Sequence, residues 1–154
     1  MEKKRLYLAY LTEPREIGES TPHSPQHLTL VPPFLAEPNF VIESAQAVGR
    51  NVKQFPARIG EIALLGPKKD LEVYTVEPLQ LLNLLHNFLM DELERREVDT
   101  SHMKHIRDEY RPHITVKPRH QRLQKDNRLT IDHIAVMEKA DDTRILLAKE
   151  ELQR

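Results

Sequence analysis

Apolar and polar positions fall into blocks along this chain, and the blocks predict a short series of elements. Residues 6–11 (Leu-Tyr-Leu-Ala-Tyr-Leu) form an apolar, aromatic run that predicts an opening strand. Residues 12–26 carry Pro14, Gly18, Pro22 and Pro25 and few apolar side chains, which predicts a loop. Residues 27–31 predict a short strand stopped at Pro32-Pro33, because proline cannot donate to a ladder. Asn39 is placed to cap a helix in which Val41, Ala45, Val48, Val52 and Phe55 share one stripe, with Pro56 ending it. Residues 58–65 and 72–76 read as a hairpin turned around 66–70. Pro78 then opens the longest helix, whose apolar stripe is Leu81, Leu82, Leu85, Phe88, Leu89 and Leu93. A polar stretch over 98–109 leads to a strand over 112–116, and residues 129–137 and 143–148 read as a closing hairpin.

Helices are too few to cross over between every pair of strands, so most pairing is expected to be antiparallel in an α+β domain. Composition narrows the function classes. The 154 residues hold 23 Lys+Arg and 24 Asp+Glu, a formal net charge of −1, which argues against a general nucleic-acid coat protein. The absence of Cys removes disulfides, thiolate zinc sites, iron–sulfur clusters and a thiol nucleophile. With 4 Gly and no Gly-rich phosphate loop, ATP-dependent and dinucleotide chemistry are disfavoured. No apolar run approaches a membrane span, and the charged start is too short for a signal peptide. A single cytoplasmic domain over residues 1–154, monomeric and away from membranes, is the expectation.

The chemistry concentrates in two segments, His27-Leu28-Thr29-Leu30 and His113-Ile114-Thr115-Val116. Side chains alternate along a strand, so Leu28, Leu30, Ile114 and Val116 turn to one face and each His and Thr to the other. Imidazole changes charge near neutral pH, so one His can serve as base and another as acid. A phosphodiester's negative charge favours the protonated imidazole, and Thr hydroxyls can donate to its oxygens. Two such strands facing one another would suit in-line displacement at phosphorus with no metal or cofactor. Each segment alone is an ordinary strand; the repetition of the frame is what carries the reading.

With these residues in view, the chain resembles the 2H phosphoesterase superfamily, named for two H-x-[ST] motifs, which includes 2′-5′ RNA ligases and RNA 2′,3′-cyclic phosphodiesterases. Tyr110-Arg111-Pro112-His113-Ile114-Thr115-Val116 is close to its second motif, and residues 27–34 to its first. The resemblance implies a bilobal fold: two pseudo-symmetric lobes of antiparallel sheet with helices packed outside and an active cleft between them. It implies His27 and His113 as the catalytic pair, Thr29 and Thr115 on the phosphate, and opening of a 2′,3′-cyclic phosphate to a 2′-phosphate, with 2′-5′ ligation as the reverse-type reaction. The substrates implied are RNA 3′ ends or cyclic nucleotides. The chain departs from the family where many members carry a basic residue five positions after the second His. Pro118 stands there, with Lys117 and Arg119 on either side as candidate phosphate ligands.

Other features are weaker. Six Lys/Arg between Arg111 and Arg128, with His120, could guide a polyanion. Tyr110 is a candidate base contact, though core packing before the strand is the simpler role. His102 and His105 read as a solvated segment, not a metal site; His86 and His133 as structural or surface residues; His23 has no assigned role. Two alternatives stay open: a nucleotide or RNA-end binding module without turnover, and a related enzyme acting on another small phosphodiester, such as 2′-5′ oligoadenylate or a cyclic ADP-ribose derivative.

Overall fold

A computed structural model describes residues 2–154. The elements in chain order are β1 (Lys4–Leu11), β2 (Ser20–Thr21), β3 (His27–Ala36), α1 (Pro38–Asn51), β4 (Phe55–Leu65), β5 (Leu71–Glu77), α2 (Leu79–Arg95), β6 (His113–Thr115), β7 (Arg128–Ile131), β8 (His133–Lys139) and β9 (Arg144–Glu151). The strands form one nine-stranded sheet in the order β2-β9-β8-β1-β3-β6-β5-β4-β7. Its ladders are antiparallel, and its ends at β2 and β7 do not meet, so it is not a barrel.

The expected lobes are the two flanks of this sheet. Outward from the centre, one half runs β3-β1-β8-β9-β2 and the other β6-β5-β4-β7. The halves join where Leu28 pairs with Ile114, the central residues of the two His-x-Thr segments. Both helices lie on one face. Helix α1 packs on β8 and β9, α2 on β3 and β5, and the helices touch each other. Leu28, Leu30, Ile59, Ile114, Ile134 and Val136 meet Leu82, Leu85, Leu89 and Leu93 there in one continuous core. Burial of that face at ~25 cal/mol per Å² of apolar surface holds every strand's alternation in register.

Three sequence expectations change. Strand β3 does not stop at Pro32-Pro33 but runs on to Ala36. Its pairing with β1 shifts between Leu6–Phe34 and Leu8–Val31, so the prolines occupy a bulge, where a missing donor breaks no regular ladder bond. Helix α1 ends at Asn51, and Phe55 and Pro56 belong to β4, although Phe55 still packs against the core. The expected strand over 129–137 is two strands: β7 pairs with β4 in one half, while β8 pairs with β1 and β9 in the other. Asp132 lies at the crossing between them.

Candidate active site

The pairing of Leu28 with Ile114 determines what stands above the seam. Both residues point into the core, so His27, Thr29, His113 and Thr115 point to the helix-free face. Continuing the antiparallel register by one residue sets His27 across from Thr115 and Thr29 across from His113. The two imidazoles therefore lie on a diagonal, a spacing of roughly 7–8 Å between Cα atoms in a regular ladder. All four side chains are partly exposed.

Both histidines are held in the same way. Nδ1 of His27 lies 2.7 Å from the Pro25 carbonyl, and Nδ1 of His113 lies 2.7 Å from the Arg111 carbonyl. A carbonyl only accepts, so each Nδ1 carries the proton and each Nε2 is left for the cleft. In each case the anchor is two residues upstream of the ring, a local device repeated in the two halves.

Their surroundings differ. The Tyr7 ring packs beside His27 with centroids 5.4 Å apart. Burial, reinforced by the nearby His120, His113 and Lys117, outweighs the Pro25 bond and holds the His27 imidazole at about 4, so it is neutral at pH 7. Across from His113 stands Thr75, whose Oγ1 donates to the Glu61 carbonyl at 2.9 Å.

Beneath the seam lies a buried polar network that ties the two motif strands to α2. His86 Nδ1 donates to the Leu30 carbonyl at 2.7 Å, and its Nε2 accepts the Arg107 backbone N–H at 2.8 Å. The His86 ring stacks on Tyr110 at 4.2 Å, and the Tyr110 hydroxyl donates to the Thr29 carbonyl at 2.7 Å. Tyr110 is 4% exposed, so it is a strut between the two strands and not a platform for a base. His86 is the buried structural residue of the two roles expected for it, and burial pushes its pKa down.

The segment after β6 returns to the first half. His120 Nε2 donates to the Ser24 carbonyl at 3.0 Å, and Gln26 Nε2 donates to the Gln121 carbonyl at 2.9 Å. These bonds clamp the turn that carries the Pro25 carbonyl, and with it the His27 ring. The Nδ1 of His120 is buried without a partner among the described residues. Sequence reading passed over His120 as one member of a charge run; the signal was its place seven residues after His113. Of the two candidate basic residues, Lys117 is close enough to act electrostatically on His27, whereas Arg119 is exposed on the turn that closes from His120 N–H to the Lys117 carbonyl. His102 and His105 are exposed, and no group of three or more metal-ligating side chains is assembled among the described residues. Among the described residues no helix is long and apolar enough to cross a membrane.

The sequence profile of the 2′-5′ RNA ligase superfamily matches residues 9–143. No curated protein matches the chain. Among solved structures the chain is similar to TT0787 of Thermus thermophilus, with a TM-score of 0.70 at 18% identity over 97% of this chain and 98% of that one. It is similar also to E. coli LigT complexed with 3′-AMP, with a TM-score of 0.66 at 15% identity over 99% and 100% of the two chains. A third, described as a phosphoesterase, gives a TM-score of 0.67 at 16% identity over 99% and 100%. At such identities the likeness is one of fold.

Proposed function

The chain belongs to the 2′-5′ RNA ligase superfamily, and from that premise we propose that it is a metal-independent phosphodiesterase which opens 2′,3′-cyclic phosphates of RNA ends or nucleotides to a 2′-phosphate. Membership supports phosphodiesterase-type chemistry. One observation carries the finer reading: two imidazoles lie diagonally across one seam, each with Nδ1 anchored to a carbonyl two residues upstream and Nε2 free. E. coli LigT has been crystallised with 3′-AMP, NADP+ and ATP, which favours a nucleotide in the corresponding cleft.

In this mechanism a water attacks phosphorus in line with the 3′ oxygen. His27, neutral at pH 7 because of its burial, takes the water proton at Nε2. The new O–P bond forms as the P–O3′ bond breaks, and His113 delivers its Nε2 proton to the departing O3′. The anionic phosphate favours the charged imidazole of His113. Thr29 and Thr115 donate to the non-bridging oxygens, and Lys117 adds positive charge from the His27 end. With the 5′-hydroxyl of a second strand in place of the water, the same groups would join a 2′-5′ linkage: His27 takes the hydroxyl proton, the O5′–P bond forms as P–O3′ breaks, and His113 protonates O3′.

The test is hydrolysis of a 2′,3′-cyclic nucleotide in excess chelator by wild type, His27→Ala and His113→Ala, with identification of the product isomer. Chelator-resistant turnover to the 2′-phosphate that both substitutions abolish is the expected result. Full activity in either variant would overturn the two-histidine mechanism. Tight binding without turnover by the wild type would favour a binding module.

A further inference from the structure

Away from the seam, on the helix-free face of the first half, the register sets three cations in a row. Lys139 on β8 pairs directly with Arg144 on β9. On its other side β8 pairs with β1 through Met137–Tyr7 and Glu138–Leu6, so the next position sets Lys139 across from Arg5. Arg5 and Tyr7 are two apart on β1 and share a face, the face on which the Tyr7 ring meets His27. Arg5, Lys139 and Arg144 thus stand abreast on three neighbouring strands, spanning roughly 10 Å at ~4.8 Å per strand.

Like charges directly opposite one another destabilise a sheet, so a row of three calls for compensation. The second half provides a comparison within the same molecule. There Arg58 lies opposite Arg128, but Glu77 lies opposite Arg58 on the other side and holds it at 2.8 Å, and Asp126 lines the same cavity of about 840 Å³. In the first half no acid is paired with the row among the described residues: Glu138 is on the opposite face, with Lys4. Lys139 is partly buried, and burial together with Arg144 and Arg5 pushes its pKa down, the sign of an ammonium with cations around it and no counter-ion. The Arg144 guanidinium is pre-oriented by the Ala140 and Thr143 carbonyls at 3.2 and 3.0 Å and by Ser24 Oγ at 3.1 Å. Ser24 Oγ also lies 3.4 Å from the Tyr7 hydroxyl, so the row adjoins the wall of the His27 cleft.

We propose that Arg5, Lys139 and Arg144 form a second phosphate site, separate from the seam, that takes a phosphate of the bound RNA a few nucleotides from the reacting end. Two half-buried cations, one of them the fixed Arg144 guanidinium, beside the exposed Arg5 suit a multiply charged oxyanion. The inference rests on the functional reading above and selects, between a cyclic mononucleotide and an RNA end, the RNA end. Free inorganic phosphate shares the chemistry and is the alternative source.

Arg5→Gln/Lys139→Gln leaves Arg144 and its hydrogen bonds in place and touches none of the seam residues. Turnover of a 2′,3′-cyclic mononucleotide and of a single-stranded pentanucleotide ending in the same cyclic phosphate is compared at low salt. The wild type is expected to favour the pentanucleotide in kcat/KM by about tenfold, and the double variant to lose that preference while keeping its mononucleotide rate. Thermal unfolding in inorganic phosphate tests the other source. Phosphate stabilisation that the double variant lacks, without a length preference, assigns the same site to the free anion. No length preference and no variant-sensitive phosphate effect would overturn the proposal. If neither substrate is turned over, the enzymatic reading falls by itself, and anisotropy of a labelled 3′-phosphorylated pentanucleotide decides the site. Weaker binding by the double variant supports it, and equal binding overturns it.

Discussion

The two halves of the sheet present the same pair of residues in different settings. Each carries a His-x-Thr strand at the seam, and each histidine donates from Nδ1 to a carbonyl two residues before it. Around the first, Tyr7 and the returning 120–121 segment enclose His27 and hold it neutral. Around the second, His113 stands beside Thr75 on the rim of β5. Farther out, the first half has cations abreast with no acid paired to them among the described residues, whereas the second sets Glu77 against Arg58. The difference teaches that the orienting device is local and repeats with the motif, while charge state and ligand reach belong to whatever the tertiary fold brings alongside.

The largest expected effect tests the equivalence of the halves. His27→Ala and His113→Ala should each lower kcat/KM by about 10³-fold or more with an unchanged circular dichroism spectrum. If one loss proved a hundred times smaller, the halves would not share the proton transfers. Next, Thr29→Ala and Thr115→Ala should each cost roughly 10–100-fold in kcat/KM, the worth of one hydrogen bond to a charged group. Unequal losses would show which half grips the phosphate.

Tyr110→Phe removes the strut from the second half to the Thr29 carbonyl. It should lower unfolding free energy by about 1–3 kcal/mol in denaturant titration, and wild-type stability would mean that the seam holds without it. The buried histidines set a pH dependence. His86 and His133 are pushed below the ordinary histidine value of 6.5, chiefly by burial, and His27 to about 4. The unfolded chain therefore binds more protons as pH falls. Stability is complete above about 6.5 and is lost progressively below it, continuing toward about 4 for His27. A melting temperature that stays flat from pH 7.5 to 5 would contradict the neutral His86 network. The smallest effect sharpens the contrast between the two histidines. His120 contributes to lowering His27, so His120→Asn should move the acid limb of the kcat/KM profile to slightly higher pH. An unmoved limb would mean that His120 only holds the Ser24 turn.

Much of this was legible in the residues. Alternation at Leu28, Leu30, Ile114 and Val116 placed both His-Thr pairs on the face away from the core, and the long α2 stripe was plain because 3.6-residue periodicity persists over many turns. Other parts were not. Pro32-Pro33 signals an ending, yet β3 continues because the register can absorb both residues in a bulge. An apolar run over 129–137 cannot show that the chain changes partners at Asp132, since both strands alternate alike. Tyr110 and His86 are 24 positions apart in sequence and are joined only by packing.

By itself, then, the sequence determined the chemistry on offer: two imidazoles and two hydroxyls on strands with one buried face, without thiols or a glycine-rich phosphate loop, because face alternation and composition are local properties of the chain. The tertiary structure decided how that chemistry is disposed. It brought Leu28 against Ile114 and so set the histidines on one diagonal, packed the Tyr7 ring beside His27, and lined up residues 5, 139 and 144 from opposite ends of the chain. Those are consequences of strand order and register, which depend on contacts between segments far apart in sequence.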